Sequence, residues 1–227
     1  MADATPLNLF LLGVLPYLAL ALFFIGTIAR YRDRRGRFGY SSLSSQFLEN
    51  RQHFWGLVPF HYGIIVVLVG HLVALLVPRS VLLWNSHPLR LYIAFGLLTL
   101  IGLVAAIVRR VSVTALLRVT SGPDWVVLTL LLVQAASGVA VAIMYPWGSS
   151  WYAATAAPYL RSLFTFNPDL VSVGVMPWLV KVHIINAWLL VGFAPFSRLV
   201  HILVAPLPYL WRRPQVVRWY RGTEAAS

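Results

Sequence analysis

Five stretches of the chain run for roughly 20 residues with almost no charge. They lie at about 7–29, 56–77, 91–108, 125–145 and 176–204, and polar residues gather between them. None alternates apolar and polar positions with the period of two that a half-buried strand requires. A run of this length crosses the hydrocarbon core as a helix, which satisfies every backbone polar group internally. The pattern predicts an all-α fold, an integral membrane bundle of five transmembrane helices in one membrane domain over 1–227. The leader MADATP before the first run lacks the positive n-region of a cleavable signal. That run is therefore expected to be a retained helix, bent or capped near Pro16. The aromatic loop at about 146–175 is expected to lay a short amphipathic helix on the outer surface. The basic, amphipathic tail over 206–227 is expected on the cytoplasmic surface.

Composition agrees with the membrane reading. The 227 residues are 59% hydrophobic and only 11% charged, where a soluble domain carries about a quarter. A net charge of +12 would suit nucleic acid, but its distribution argues otherwise. Thirteen arginines, between Arg30 and Arg51, Arg109 and Arg118, and Arg212 and Arg221, fall on one side of a five-span topology. Arg79, Arg90 and Arg161 fall on the other. That bias predicts an N-terminus outside and a cytoplasmic C-terminus in a multi-pass membrane protein. A basic face suits anionic lipid or an acidic partner subunit, and no nucleic acid is expected. The absence of cysteine excludes disulfides, cysteine-ligated iron–sulfur clusters and haem attached through C-x-x-C-H. Any redox centre must be held by other side chains.

Histidine supplies the candidate chemistry. His53 and His87 lie at or beyond span boundaries in polar company and read as solvated loop residues. His61 and His71 sit in the second span, His183 in the fifth, and His201 near its far end. Ionisable groups in membrane helices usually face the bundle interior and have a function. Three are available here: proton relay, metal or haem ligation, and interhelical hydrogen bonding. Ten residues of helix separate His61 from His71 by about 15 Å, so the two cannot share one iron. The predicted topology levels His61 with His201 and His71 with His183, giving two cross-helix pairs at two depths. In a straight fifth helix His183 and His201 share a face, although Pro195 between them can bend or end it. This geometry permits two bis-histidine haems and leaves proton-pathway and packing roles standing. A proton channel or haem-free transporter would place acids beside the histidines, and none is present in the spans.

Several stretches carry a family resemblance. They are PYLALALFFIGTIARY, SSLSSQFLE, FHYGIIVVLVGH, RVTSGPDWVVLTLLLVQAASG and, the longest, PFSRLVHILVAPLPYL at 195–210. Together they resemble the gamma subunit of the membrane-bound respiratory nitrate reductases, a dihaem cytochrome b. The resemblance implies two non-covalent b haems, with His71 and His183 holding the outer one and His61 and His201 the inner one. It also implies oxidation of membrane quinol near the outer face. Electrons then pass to an iron–sulfur subunit and a molybdenum catalytic subunit on the cytoplasmic side. This chain alone would reduce no nitrate, and the same anchor serving another cytoplasmic reductase is the nearest alternative.

The quinol-binding candidate carried over from the family is Arg90; Gly70, which beside His71 allows close approach of a head group, and the nearby His87 are further candidates. Arg90 stands where the family has a lysine, and a guanidinium is a poor proton acceptor. Lys181 and Arg198, the cations of the fifth run, are candidate partners for haem propionates. Snorkelling to the interface is the competing role for both.

Overall fold

The computed structural model describes residues 5–33, 53–76, 88–145 and 152–202. The tail 206–227 and the start of the 146–175 loop lie outside them. Eight helices are described: α1 (Pro6–Arg32), α2 (His53–Leu76), α3 (Pro88–Ser112), α4 (Thr114–Arg118), α5 (Gly122–Met144), α6 (Ala157–Phe164), α7 (Leu170–Gly174) and α8 (Trp178–Phe193). Among the described residues there is no strand. Five helices, α1, α2, α3, α5 and α8 with the turn that continues it, are long and apolar enough to cross a membrane. The all-helical, five-span reading of the sequence holds. Apolar side chains over most of these helices face outward, as a lipid environment requires.

The helices pack in the order α2, α3, α5, α8, α1. Neighbours in the first three contacts are antiparallel, and α8 runs parallel to α1, as odd-numbered spans must. Lipid tails are as apolar as the side chains, so close backbone approach replaces the hydrophobic drive between helices. The α2–α3 seam illustrates this. A Cβ on Gly56 would stand 3.1 Å from the Ala106 backbone nitrogen, and one on Gly102 would stand 2.5 Å from that of Phe60. Gly63 meets Thr99 and the Phe95 carbonyl in the same way. At the α8–α1 contact, Gly192 opposes Ala19 and Gly26 opposes Pro195.

The first helix is irregular just before Pro16, which stands in the first turn of its longer α-helical part. A π-helical segment, Leu9–Val14, precedes it, and the helix continues from Leu15 to Arg32. Pro16 has no N–H for the carbonyl four residues back, at Leu12. That carbonyl instead accepts the Tyr159 hydroxyl at 2.7 Å from α6, the short surface helix expected in the 146–175 loop. Tyr17 returns the contact by donating to the Leu163 carbonyl at 3.0 Å. These exchanged bonds dock α6 on α1, and Tyr159 is fully buried in the cluster they enclose, with Leu12, Leu163, Val173 and Val180. Burial raises the Tyr159 phenol above its ordinary range, so it is a hydrogen-bond donor at any ordinary pH.

The fifth span departs from the continuous helix expected over 176–204. Its α-helix stops at Phe193, Ala194–Phe196 forms a 3-10 turn, and Ser197 is extended (φ −125°, ψ 179°). The chain resumes as a second 3-10 segment, Arg198–Ile202. Pro195 cannot continue the hydrogen-bond ladder, and the Arg30 guanidinium takes up carbonyls freed there, those of Pro195 and Ser197. The shared helix face expected for His183 and His201 therefore does not exist.

If the glycine seam sets the α2–α3 distance, Gly102→Ala will destabilise the folded chain by roughly 1–3 kcal/mol through overpacking. Gly122→Ala, where an added Cβ meets nothing within 4 Å, should be neutral. Thermal unfolding of both variants in detergent checks the contrast.

Candidate functional site

Two histidines of α2 are oriented by their own helix. The Nδ1 of His61 lies 2.7 Å from the Leu57 carbonyl, and that of His71 lies 2.8 Å from the Val67 carbonyl, each four residues back. A carbonyl only accepts, so Nδ1 carries the proton in both rings and Nε2 keeps its in-plane lone pair. Both side chains are exposed on the surface of α2.

The structure brings His71 of α2 to His183 of α8, with ring centroids 6.4 Å apart and planes tilted by 32°. Two imidazoles binding one metal from opposite sides stand about 6 Å apart by centroid, given metal–nitrogen bonds of about 2 Å. Tyr152 packs edge-on against His71 at 5.4 Å, and its hydroxyl donates to the His71 carbonyl at 3.3 Å. Nearby, the Arg161 guanidinium donates to the Leu75 carbonyl at the end of α2.

His183 is held differently, by a polar cluster between α5 and α8. Ser137 Oγ lies 2.9 Å from its Nδ1 and donates its own proton to the Gln134 carbonyl at 3.2 Å. With Nδ1 protonated, as in the other two rings, Ser137 would accept from it and Nε2 would be the unprotonated nitrogen. The Gln134 amide nitrogen lies 3.3 Å from Nδ1 and 3.1 Å from Nε2 of this ring. A donor in the ring plane cannot be nearly equidistant from both without overlapping Cε1. The amide thus lies over the ring face and leaves the Nε2 lone-pair axis open. Gln134 is itself fixed by Asn186, whose amide donates to Gln134 Oε1 at 2.7 Å and to the Leu130 carbonyl at 2.9 Å. Gly138 completes the cluster, because a Cβ there would stand 3.0 Å from His183 Cε1.

A second polar knot closes the opposite end of the bundle. Asp124, in the first turn of α5, is 7% exposed and pairs with Arg198 Nε at 3.0 Å and Arg110 at 3.9 Å. The Ser121 backbone N–H and hydroxyl also donate to it, at 3.0 and 2.9 Å. A pocket of about 180 Å³ opens beside it, lined by Arg30, Ser121, Pro123, Asp124, Phe196, Ser197 and Arg198. Arg198 donates further to the Val119 carbonyl at 3.3 Å.

The remaining sequence-selected residues fall as follows. Gly70 is half-buried on α2 beside His71. Arg90 stands in the first turn of α3, with its side chain outside the described residues, as is all of His87. Lys181 donates to the Gly174 carbonyl at 2.6 Å, closing the end of α7. His201 lies on the 3-10 segment three residues beyond Arg198, and its side chain too is not described. Sequence reasoning missed Gln134, Ser137, Asn186 and Tyr152. The signal was present for the first three, as amide and hydroxyl side chains interrupting apolar runs at helical spacing from each other or from His183. Among the described residues, no group of three or more His, Cys, Asp or Glu side chains could hold a metal ion.

A family description, nitrate reductase gamma subunit, matches residues 8–220. The chain belongs to the nitrate reductase gamma subunit family. It is 30% identical over 215 residues to the nitrate reductase gamma chain of Bacillus subtilis, covering 91% of this chain and 96% of that one. Against the respiratory nitrate reductase 1 gamma chain of Escherichia coli the identity is 30% over 224 residues, covering 93% and 97%. A nitrate reductase-like protein of Mycobacterium tuberculosis is 28% identical over 225 residues, a match to 93% of this chain and 33% of that longer one. Membership of the gamma subunit family makes the chain a multi-pass inner-membrane subunit of a nitrate reductase, associated with other subunits of that complex.

Removing the charge of Asp124 while keeping its shape leaves Arg110 and Arg198 facing each other uncompensated. Asp124→Asn is expected to cost about 1–3 kcal/mol, below the full figure for a buried pair because Arg198 is substantially exposed. Thermal unfolding at low and high salt checks it, with the deficit shrinking as salt screens the arginines.

Proposed function

We propose that this chain is the quinol-oxidising, electron-transferring membrane subunit of its nitrate reductase. His71 and His183 would hold one b-type haem, and His61 and His201 a second. The observation that carries the reading is the facing His71–His183 pair at a separation suited to a shared metal. Three described rings support it further, because His61, His71 and His183 each place Nδ1 within hydrogen-bond distance of an oxygen, which suits ligation through Nε2. When bound, the two haems supply one-electron redox centres at two depths of the bundle.

The chain's own residues define the rest of the reading. Under the arginine bias the N-terminus is outside, which sets His71 and His183 toward the outer face and His61 and His201 toward the cytoplasm. Quinol binds at the outer end. Gly70 allows close approach of a head group beside His71. Arg90 donates to a quinol oxygen, and His87 accepts a proton and releases it outside. Arg198 and Lys181 compensate propionate charge, the first within its network to Asp124 and the second through an ammonium with one of three donors on Gly174. The basic cytoplasmic side receives the iron–sulfur electron-transfer subunit and, through it, the molybdenum catalytic subunit.

A reduced-minus-oxidised spectrum with a pyridine haemochrome count tests the ligand set. The purified complex should contain two b haems in this chain. His71→Ala, His183→Ala and the double variant should each lack the same single haem, whereas His61→Ala combined with His71→Ala should lack both. A folded chain with no haem sinks the proposal. Loss of two haems in the His71/His183 double variant sinks the pairing.

A further inference from the structure

Three histidines bind oxygen through Nδ1, but not the same kind of oxygen. His61 and His71 use peptide carbonyls of their own helix. His183 Nδ1 lies 2.9 Å from the Ser137 hydroxyl of a neighbouring helix, itself 3.2 Å from the Gln134 carbonyl, and with Nε2 on a metal this hydroxyl would accept from Nδ1–H. We propose that the Ser137 hydroxyl is a positioning residue that sets the redox potential of the iron held by His183. The proposal rests on the haem-ligand reading above.

The direction of the effect follows from ligand basicity. An acceptor on Nδ1–H draws the imidazole toward imidazolate and makes Nε2 a stronger donor. A stronger donor favours the ferric state and lowers the potential. Ser137 is polarised as an acceptor by its own donation to a carbonyl, an effect that strengthens in a low-dielectric interior. The contact is built into the fold. Asn186 bridges Leu130 and Gln134 and so fixes the register of α5 against α8. The Gln134 amide covers one face of the ring. Gly138, one residue beyond Ser137, leaves the room in which the ring sits. Ser137 itself is 6% exposed, so water does not substitute for its hydroxyl.

Spectroscopic redox titration of the complete complex tests this. Ser137→Ala should retain both haems and raise the potential of one, changing its ferric-to-ferrous ratio at fixed potential by about three- to tenfold, where tenfold is about 59 mV for one electron. The other haem should titrate as in the unaltered protein, and Ser137→Thr, which keeps the hydroxyl, should restore the first. Should Ser137→Ala fail to assemble, Ser137→Cys keeps the volume with a weak acceptor and should move the potential in the same direction. Unchanged potentials in a variant with both haems overturn the proposal, as do equal shifts of both or loss of one haem from a folded chain. An unaltered complex without haem in this chain overturns the ligand reading first, and the role of Ser137 with it.

Discussion

A carboxylate almost removed from water at the end of a membrane bundle has to be compensated, and the compensation of Asp124 organises that end of the protein. Its partners come from three places in the chain: Arg110 near the end of α3, Ser121 before α5, and Arg198 beyond α8. Arg30, at the end of α1, lines the same pocket and binds the carbonyls where α8 breaks. Four of the five spans therefore meet around one negative charge. The broken end of α8 is fixed by this network rather than by helix propensity, and His201 is carried on the segment that follows.

The other end is closed by hydrogen bonds to backbone carbonyls. Tyr159 and Tyr17 exchange donors with backbone carbonyls across α6 and α1, while Arg161 and Tyr152 bind carbonyls of α2. The Leu12 and Leu75 carbonyls among these are acceptors that a proline or a helix end leaves open. The difference between the ends has a consequence for charge. One end holds several cations around a single acid, and at the other phenols, Arg161 and Lys181 bind backbone carbonyls around the His71–His183 pair.

The five spans were legible because length and apolarity alone decide them, and the family was legible from motifs around His61, His71 and His201. The break after Phe193 was only partly legible. Pro195 marks it, but its completion depends on Arg30, 165 residues away in sequence. Pro16 was legible as an irregularity, but the π-helical segment before it and the Tyr159 hydroxyl on the Leu12 carbonyl were not. The α5–α8 polar cluster was overlooked because Gln134, Ser137 and Asn186 are individually unremarkable in a membrane helix. Only the packing of α5 on α8 reveals that all three converge on one histidine.

That packing also separates the histidines by what orients them. The rings of His61 and His71 are set by carbonyls of α2 itself, so their tautomer is a property of one helix and survives small shifts in its packing. The ring of His183 is set by side chains of α5, so its tautomer depends on the α5–α8 register. A disturbance of that register reaches His183 before it reaches His61 or His71. The Asn186–Gln134–Leu130 bridge lies within one turn of His183, where it resists such a disturbance most directly. Three polar side chains in apolar helices thus do for one imidazole what a backbone carbonyl does for the others.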